Sequence, residues 1–291
     1  MVSFMEEVYD VSFPALGLLF KIKAIAFEIF DMQVRFYGLI FAFACILGLV
    51  YVMLRAKDFD LNREKLIDII FLSLIFGIIG ARLYYIVFYP DIGYYFKNPL
   101  RVFYLNQGGI AIYGGIIGSL LPGVIMCRKR NIKILPALDL VSIGLILGQC
   151  IGRWGNFFNQ EAFGTQTDLP WGMKSQSTDG IAVHPCFFYE SIWCFLGFLM
   201  FHILSFRFRK YQGRIFSYYL IWYGFGRLFI EQLRTDSLLV PGVPWLRISQ
   251  IISLFSVLLG TIMIIVLKRK NLNNFFRNEK IKKFTFKNDV S

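Results

Sequence analysis

Charge is scarce in this chain. Of its 291 residues 17% are Asp, Glu, Lys or Arg while 56% are hydrophobic, and the mean hydropathy is +0.57. That balance excludes an ordinary soluble domain of this length. Histidine is scarcer still: His184 and His202 are the two in the chain, which leaves little material for a metal site or a Ser/His/Asp triad. Cys45, Cys127, Cys150, Cys186 and Cys194 are odd in number and form no CxxC pair. They lie within apolar runs or at the end of one, so neither a disulfide framework nor a zinc centre is expected, and no metal or cofactor is called for. Tandem repeats, low-complexity tracts and a separate soluble domain are absent too.

What fills the chain is apolar sequence in long runs. A helix needs roughly 20 apolar residues to cross ~30 Å of hydrocarbon. Seven stretches qualify, approximately 36–54, 66–88, 108–126, 137–153, 187–204, 214–233 and 245–267. The expected fold is an all-α integral membrane protein of about seven transmembrane helices. It forms a single polytopic membrane domain, 1–267, followed by a basic tail, 268–291. Residues 1–35 hold a broken apolar run from Val11 to Ile29, interrupted by Pro14, Lys21, Lys23 and Glu28, and read as an interfacial segment rather than a cleaved signal peptide.

The charges that do occur are unevenly placed. Lys and Arg outnumber Asp and Glu by 31 to 19, for a net charge of +12. They cluster in alternate connections: Arg55, Lys57, Arg63 and Lys65; Arg128, Lys129, Arg130 and Lys133; Arg207, Arg209, Lys210 and Arg214; and the tail from Lys268. Positive loops stay cytoplasmic, which puts the C-terminus inside and the N-terminus outside. Orientation and attraction to anionic headgroups account for the basic balance, with no nucleic acid required. The connections assigned to the outside, 89–107 and 154–186, carry few basic groups and are expected to build a small outward-facing cap.

Two constellations place polar groups where they are costly. Gly152-Arg153-Trp154-Gly155-Asn156-Phe157-Phe158-Asn159-Gln160-Glu161-Ala162-Phe163-Gly164 sets an Arg, two Asn, a Gln and a Glu at the end of a span. Ionisable groups at that depth are functional candidates by default, although an arginine that snorkels to the interface is the simpler alternative. Span six carries Tyr223, Arg227, Glu231 and Arg234 at steps of four, four and three, so they share one helical face. A structural ion-pair ladder would also give that stripe, but two arginines against one glutamate leave positive charge that a phosphate would answer.

Smaller signals accompany them. Gly108–Gly118 presents a small-residue face suited to close helix contact, with Tyr113 inside it. Tyr37 in Arg35-Phe36-Tyr37-Gly38 and Arg82 in Gly80-Ala81-Arg82 fit interfacial anchoring. His184 and Glu190 open span five in the run His184-Pro185-Cys186-Phe187-Phe188-Tyr189-Glu190. A lone histidine fits an interfacial cap as readily as a proton carrier, whereas a carboxylate entering an apolar helix demands a partner.

Together these segments resemble the prolipoprotein diacylglyceryl transferase family of bacterial inner-membrane enzymes, from about Arg35 to about Arg234. Arg153, Asn156, Asn159, Glu161 and Gly164 match the family signature GRxGNFxNxExxG. Tyr223, Arg227, Glu231 and Arg234 match its YGxxRxxxExxR helix, Tyr37 its RxYG element and Arg82 its GARL element. Two positions depart: Tyr113-Gly114-Gly115 stands where many members have His followed by two glycines, and Phe187 replaces the glutamine of HPxQLYE.

The resemblance implies seven spans with the N-terminus outward in the cytoplasmic membrane. It also implies transfer of the diacylglyceryl group of phosphatidylglycerol to the lipobox cysteine of prolipoprotein signal peptides, with glycerol phosphate leaving. Arg153, Arg227, Tyr113, Glu161 and Glu231 are then the expected catalytic set. Tyr37, Arg82, Asn156, Asn159, Gly164, His184, Glu190, Tyr223 and Arg234 are expected to bind substrate. From other classes, a transporter would require an internal inverted repeat, which the chain lacks, and a non-catalytic lipid-binding scaffold would require the polar stripe to close into ion pairs.

Overall fold

The computed structural model of the chain describes residues 8–29, 32–89, 93–103, 108–207, 211–240 and 242–288. Arg209 and Lys210, together with 1–7, 90–92, 104–107 and 289–291 of the connections and tail considered above, lie outside the described residues. In chain order, β1 (Val8–Phe13) and β2 (Leu18–Lys23) form an antiparallel hairpin, and β3 (Ile25–Ile29) and β4 (Met32–Arg35) form a second. Helices α1 (Phe36–Arg55), α2 (Arg63–Val87), α3 (Gly93–Lys97), α4 (Ile112–Lys129), α5 (Ile134–Asn159), α6 (Cys186–Arg207) and α7 (Arg214–Leu233) follow. A third hairpin, β5 (Leu239–Val240) and β6 (Val243–Arg247), leads into α8 (Ile248–Asn288).

Five helical stretches, Phe36–Phe59, Arg63–Val87, Ile134–Asn159, Cys186–Phe206 and Ile248–Asn271, are long and apolar enough to cross a membrane. The chain is therefore a multi-pass, mainly helical membrane protein. The broken apolar run near the N-terminus folds as strands. Tyr9, Val11 and Phe13 alternate with Asp10 and Ser12, the period of two that a half-buried strand requires. The last helix outruns its expected end at 267, because no Gly or Pro follows to break it before Asn288.

The change that matters most is at α5, expected to end near 153 and observed to run to Asn159. Gly155 stays helical and makes room for the ring of Tyr37: a Cβ there would sit 2.8 Å from the Tyr37 ring. The helix stops at Gln160, whose left-handed φ of 51° breaks the repeat while its amide donates to Phe157 O at 2.6 Å. Arg153 is thereby held by regular helix on both sides.

The chain divides into two compact units, one of residues 1–52 with 139–291 and the other of 53–138. In the smaller unit α2 and α4 meet backbone to backbone through Gly80 and Gly114. A Cβ on Gly114 would lie 2.3 Å from Gly80 O, a distance no side chain can occupy. Arg82 is buried beside this contact and donates to Arg101 O, Val102 O, Gly108 O and Gly109 O at 2.6–2.9 Å. Its charge is spent on carbonyls that a loop near an apolar helix could not otherwise satisfy.

In the larger unit, Asp139 of α5 caps the start of α7, accepting from Gly213 N at 2.7 Å and Phe216 N at 2.8 Å. Trp193 of α6 and Trp222 of α7 stack with centroids 4.2 Å apart. Each indole N–H donates to the other residue's carbonyl, at 2.9 and 3.0 Å. These contacts set the register of α5, α6 and α7, which carry the polar cluster.

The glycine contact is testable. Gly114→Val should lower the thermal unfolding midpoint of the detergent-solubilised protein, with a cost of about 1–3 kcal/mol from overpacking. Gly38→Ala, whose new methyl meets nothing within 4 Å, should not lower it. Equal midpoints for the two variants would show that the α2–α4 approach is not tight.

Candidate active site

Three helices of the larger unit, α5, α6 and α7, bring charges inward to one place. Glu190 lies in the second turn of α6, 5% exposed, and three guanidiniums converge on it. Arg153 of α5 places Nε 2.5 Å from Glu190 Oε2, Arg227 of α7 contacts Oε1, and Arg234 at the end of α7 places Nη1 3.8 Å from Oε1. Arg227 also reaches Glu231 one turn on, Nη2 to Oε2 2.6 Å, and Glu231 is 1% exposed. Arg234 grips Asp236 with two hydrogen bonds, 2.9 Å from Nε and 2.7 Å from Nη2. Arg153 Nη2 donates to the hydroxyl of Tyr223 at 3.2 Å.

Counted together, Arg153, Arg227 and Arg234 face Glu190, Glu231 and Asp236, three positive charges against three negative. The stripe on α7 read alone leaves positive charge over, and the structure corrects that count by adding a carboxylate from α6 and one from the following turn. Burial without such pairing would be prohibitive, since an unpaired ion in a low-dielectric interior costs several kcal/mol. Burial would raise the Asp236 carboxyl, but the Arg234 fork beside it outweighs that and holds it below the ordinary carboxylate range. Two of the carboxylates are sealed more completely than the cations, while Asp236, 46% exposed, is the outermost charge of the cluster. Glu190 and Glu231 are nearly inaccessible, whereas Arg153 is 21% exposed, more than Arg227 or Arg234. Among the described residues, Arg153 Nη1 has no protein partner.

A second group sits on the last turn of α5. Exposed Glu161 accepts from Asn156 Nδ2 at 2.8 Å and from Asn159 Nδ2 at 3.4 Å, so the signature closes on itself around the helix end. Asn159 Oδ1 is buried and has no donor among the described residues. An acceptor left so is costly in the free protein and ready for a hydroxyl.

The connection 160–185 ties this end of the unit together. Gly164 N donates to His184 O at 2.8 Å and Thr165 N to Leu233 O at 2.7 Å. A Cβ on Gly164 would lie 2.8 Å from both Cys186 Sγ and His184 Cβ and 2.9 Å from Leu233 O, so only glycine fits where the loop, α6 and α7 meet. His184 Nδ1 lies 3.2 Å from the Tyr189 hydroxyl, which also accepts from Trp171 Nε1 at 2.7 Å. Burial holds the His184 imidazole below its ordinary pKa. Phe187, in place of a polar residue, is 3% exposed and packs with Phe157 and Trp154 in the core beneath the loop.

Of the residues singled out from sequence, the structure gathers Arg153, Glu190, Tyr223, Arg227, Glu231 and Arg234 into one cluster. It places Asn156, Asn159 and Glu161 on the adjoining helix end, Tyr37 against Gly155, and Gly164 and His184 in the loop above. Arg82 and Tyr113 belong to the other unit. Tyr113 is half-buried in the first turn of α4, and the Arg82 donors are taken by carbonyls of that same unit. Asp236 was missed: two residues beyond Arg234, it falls outside the helical stripe that drew attention to its partner. Trp171 was missed as well, because an indole in a loop carries no periodic signal.

The central carboxylate can be tested without reference to activity. Glu190→Gln leaves three arginines with two carboxylates and should destabilise the purified protein by roughly 3–5 kcal/mol, the usual cost of breaking a buried pair from one side. An unchanged unfolding midpoint would mean that the guanidiniums do not depend on it.

Comparison with known proteins gives a consistent result. The family model for prolipoprotein diacylglyceryl transferase matches residues 24–266. A relative from Finegoldia magna is 41% identical over 246 residues, covering 84% of this chain and 96% of its own. One from Clostridioides difficile is 41% identical over 250 residues, covering 86% and 97%. One from Staphylococcus aureus is 38% identical over 269 residues, covering 89% and 94%. All three are named phosphatidylglycerol–prolipoprotein diacylglyceryl transferase.

Proposed function

The chain belongs to the prolipoprotein diacylglyceryl transferase family, and we propose that it moves the sn-1,2-diacylglyceryl group of phosphatidylglycerol onto the thiol of a prolipoprotein lipobox cysteine. A new C–S bond forms at the glyceryl carbon as the C–O bond to phosphate breaks, and glycerol phosphate leaves. The observation that carries the site assignment is the guanidinium cluster on Glu190, whose most accessible member, Arg153, keeps an N–H group without a protein partner among the described residues.

Two demands follow from the chemistry. The departing phosphate gains charge as the C–O bond breaks, and Arg153 and Arg227 stabilise it, since planar, permanently charged donors act strongly in a site of low dielectric. The thiol, with an ordinary pKa near ~8.5, must become a thiolate, and the same positive charge favours that form. A phenol is a weak base at neutral pH, so removal of the thiol proton is not assigned to Tyr113, which the family resemblance puts in the catalytic set. Glu161 and Glu231 balance charge, while Glu190, Tyr223 and Arg234 hold the two arginines in place. Asn159 Oδ1 is the acceptor for a headgroup hydroxyl, and Asn156, Tyr37, Gly164 and His184 shape the binding surface, whereas the Arg82 donors are taken by carbonyls of the other unit.

In the same reading the chain has seven spans, α4 and α7 joining the five longer apolar stretches as helices of 18 and 20 residues. It sits in the bacterial cytoplasmic membrane as one domain through 267, with the N-terminus outside and the tail from 268 inside. The alternation of basic loops supports that orientation. The polar cluster then faces outward, on the side where exported precursors arrive.

Purified protein given labelled phosphatidylglycerol and a lipobox peptide should add the diacylglyceryl mass to the peptide thiol. Arg153→Ala and Arg227→Ala should each lower transfer by at least ~100-fold, the scale of losing one charge-stabilising donor, while still inserting into membranes. Near-normal transfer by either variant would remove that arginine from the chemistry. Tyr113→Phe and Tyr113→His should be compared in the same assay. A hydroxyl that orients the headgroup predicts a raised KM for phosphatidylglycerol in the Phe variant with kcat retained, and full activity with Phe would leave the hydroxyl without a task.

A further inference from the structure

The β1–β2 hairpin precedes the stretch matched by the family model, and its composition and exposure are unusual. From Pro14 to Phe20 its tip reads Pro-Ala-Leu-Gly-Leu-Leu-Phe, with no polar side chain, and every one of these residues is exposed. Leu16 is 53% exposed, Leu18 45%, Leu19 68% and Phe20 42%. Pro14 opens a single helical turn and Gly17, at φ 64°, reverses the chain. Seven consecutive exposed apolar residues are not what a water-facing hairpin tip carries.

Two observations place this tip at the edge of the hydrocarbon. The Phe20 ring contacts Phe157 with centroids 6.5 Å apart, and Phe157 lies in the last turn of α5, one of the membrane-crossing helices. The neighbouring strand is tied to the loop: Asp10 N donates to Gln176 Oε1, and Ser12, which lies opposite Leu19, pairs with Lys174. Phe20, the last residue of the exposed run, is thus the one that meets the helix end, and the six exposed apolar residues before it extend from that contact around the turn. Polarity changes along the strand in the matching sense, since exposed Lys21 follows directly on the apolar run.

We propose that the hairpin is an interfacial anchor: its tip inserts into the acyl boundary of the adjoining leaflet, with Lys21 against the phosphates of anionic lipids. Apolar burial supplies the attachment, and the cation supplies the preference for a negatively charged surface. This inference needs only that the long helices cross a membrane and is independent of the transferase chemistry. It adds a point of contact between the loop layer and the headgroup region from which a lipid substrate would be drawn.

The test adds one indole by Leu19→Trp, at an exposed position on the outer face of the sheet, and subtracts the emission of the parent protein. Full-length protein is reconstituted into vesicles of phosphatidylcholine alone and of equal parts phosphatidylcholine and phosphatidylglycerol. The added emission should be quenched by lipids brominated on the acyl chain and shielded from aqueous iodide. Lys21→Glu in the same background should weaken the bromolipid quenching about twofold in the mixed vesicles and leave it unchanged in phosphatidylcholine. Ready quenching by iodide with none by bromolipid would overturn the proposal. Shielding from both quenchers would overturn it in favour of a protein partner such as a second copy, and indifference to Lys21→Glu would remove the anionic preference.

Discussion

The larger unit depends on one buried carboxylate. Glu190 enters the apolar stretch of α6 and gathers Arg153 from α5 and Arg227 and Arg234 from α7. None of these four could occupy its position without the others, because each ion alone would forfeit its hydration for nothing. The surrounding packing exists to hold them in register. The Trp193–Trp222 stack locks α6 to α7, the Asp139 cap locks α5 to the start of α7, and Gly164 lets the loop close over the cluster.

The cluster is balanced, three cations with three carboxylates, and that was the pattern expected of a non-catalytic scaffold. Family membership and the unequal burial of the partners argue otherwise. A scaffold gains most when its charges are sealed alike, whereas here Glu190 and Glu231 are sealed and Arg153 and Asp236 are the accessible groups. In the proposed reaction an arriving phosphodiester would meet donors already desolvated, with Glu190 and Glu231 behind them to hold the cations in its absence. The same logic covers Asn159, whose buried carbonyl oxygen lacks a protein donor among the described residues.

Much of the fold was legible because apolar length is a property of consecutive residues. The apolar stretches 36–54 and 214–233 coincide to within one residue with helices α1 and α7, of which α1 is among the five long and apolar enough to cross a membrane. The glycine face around Gly114 was readable as a helix contact because small residues recurred at helical spacing. The reading went astray where hydrophobicity and helicity part company. The end of α5 carries polar side chains and so reads as loop, although the backbone continues as helix to Asn159. The run near the N-terminus was seen as apolar, but its period of two was not weighed. Arg82 was read as a surface anchor because nothing in the sequence signals that the carbonyls of residues 101, 102, 108 and 109 turn toward it.

The sequence by itself determined the class of protein, the positions of the apolar helices and the inventory of charged groups that had to be explained, since all of these follow from local composition and periodicity. It also held the paired motifs by which the family is recognised. Only the tertiary structure decided which charge meets which. Glu190 lies 37 residues from both Arg153 and Arg227 in the chain, and its place between them comes from the packing of α6 against α5 and α7. Electrostatic pairing depends on distance across helices and on the dielectric between them, and neither quantity is written along the chain.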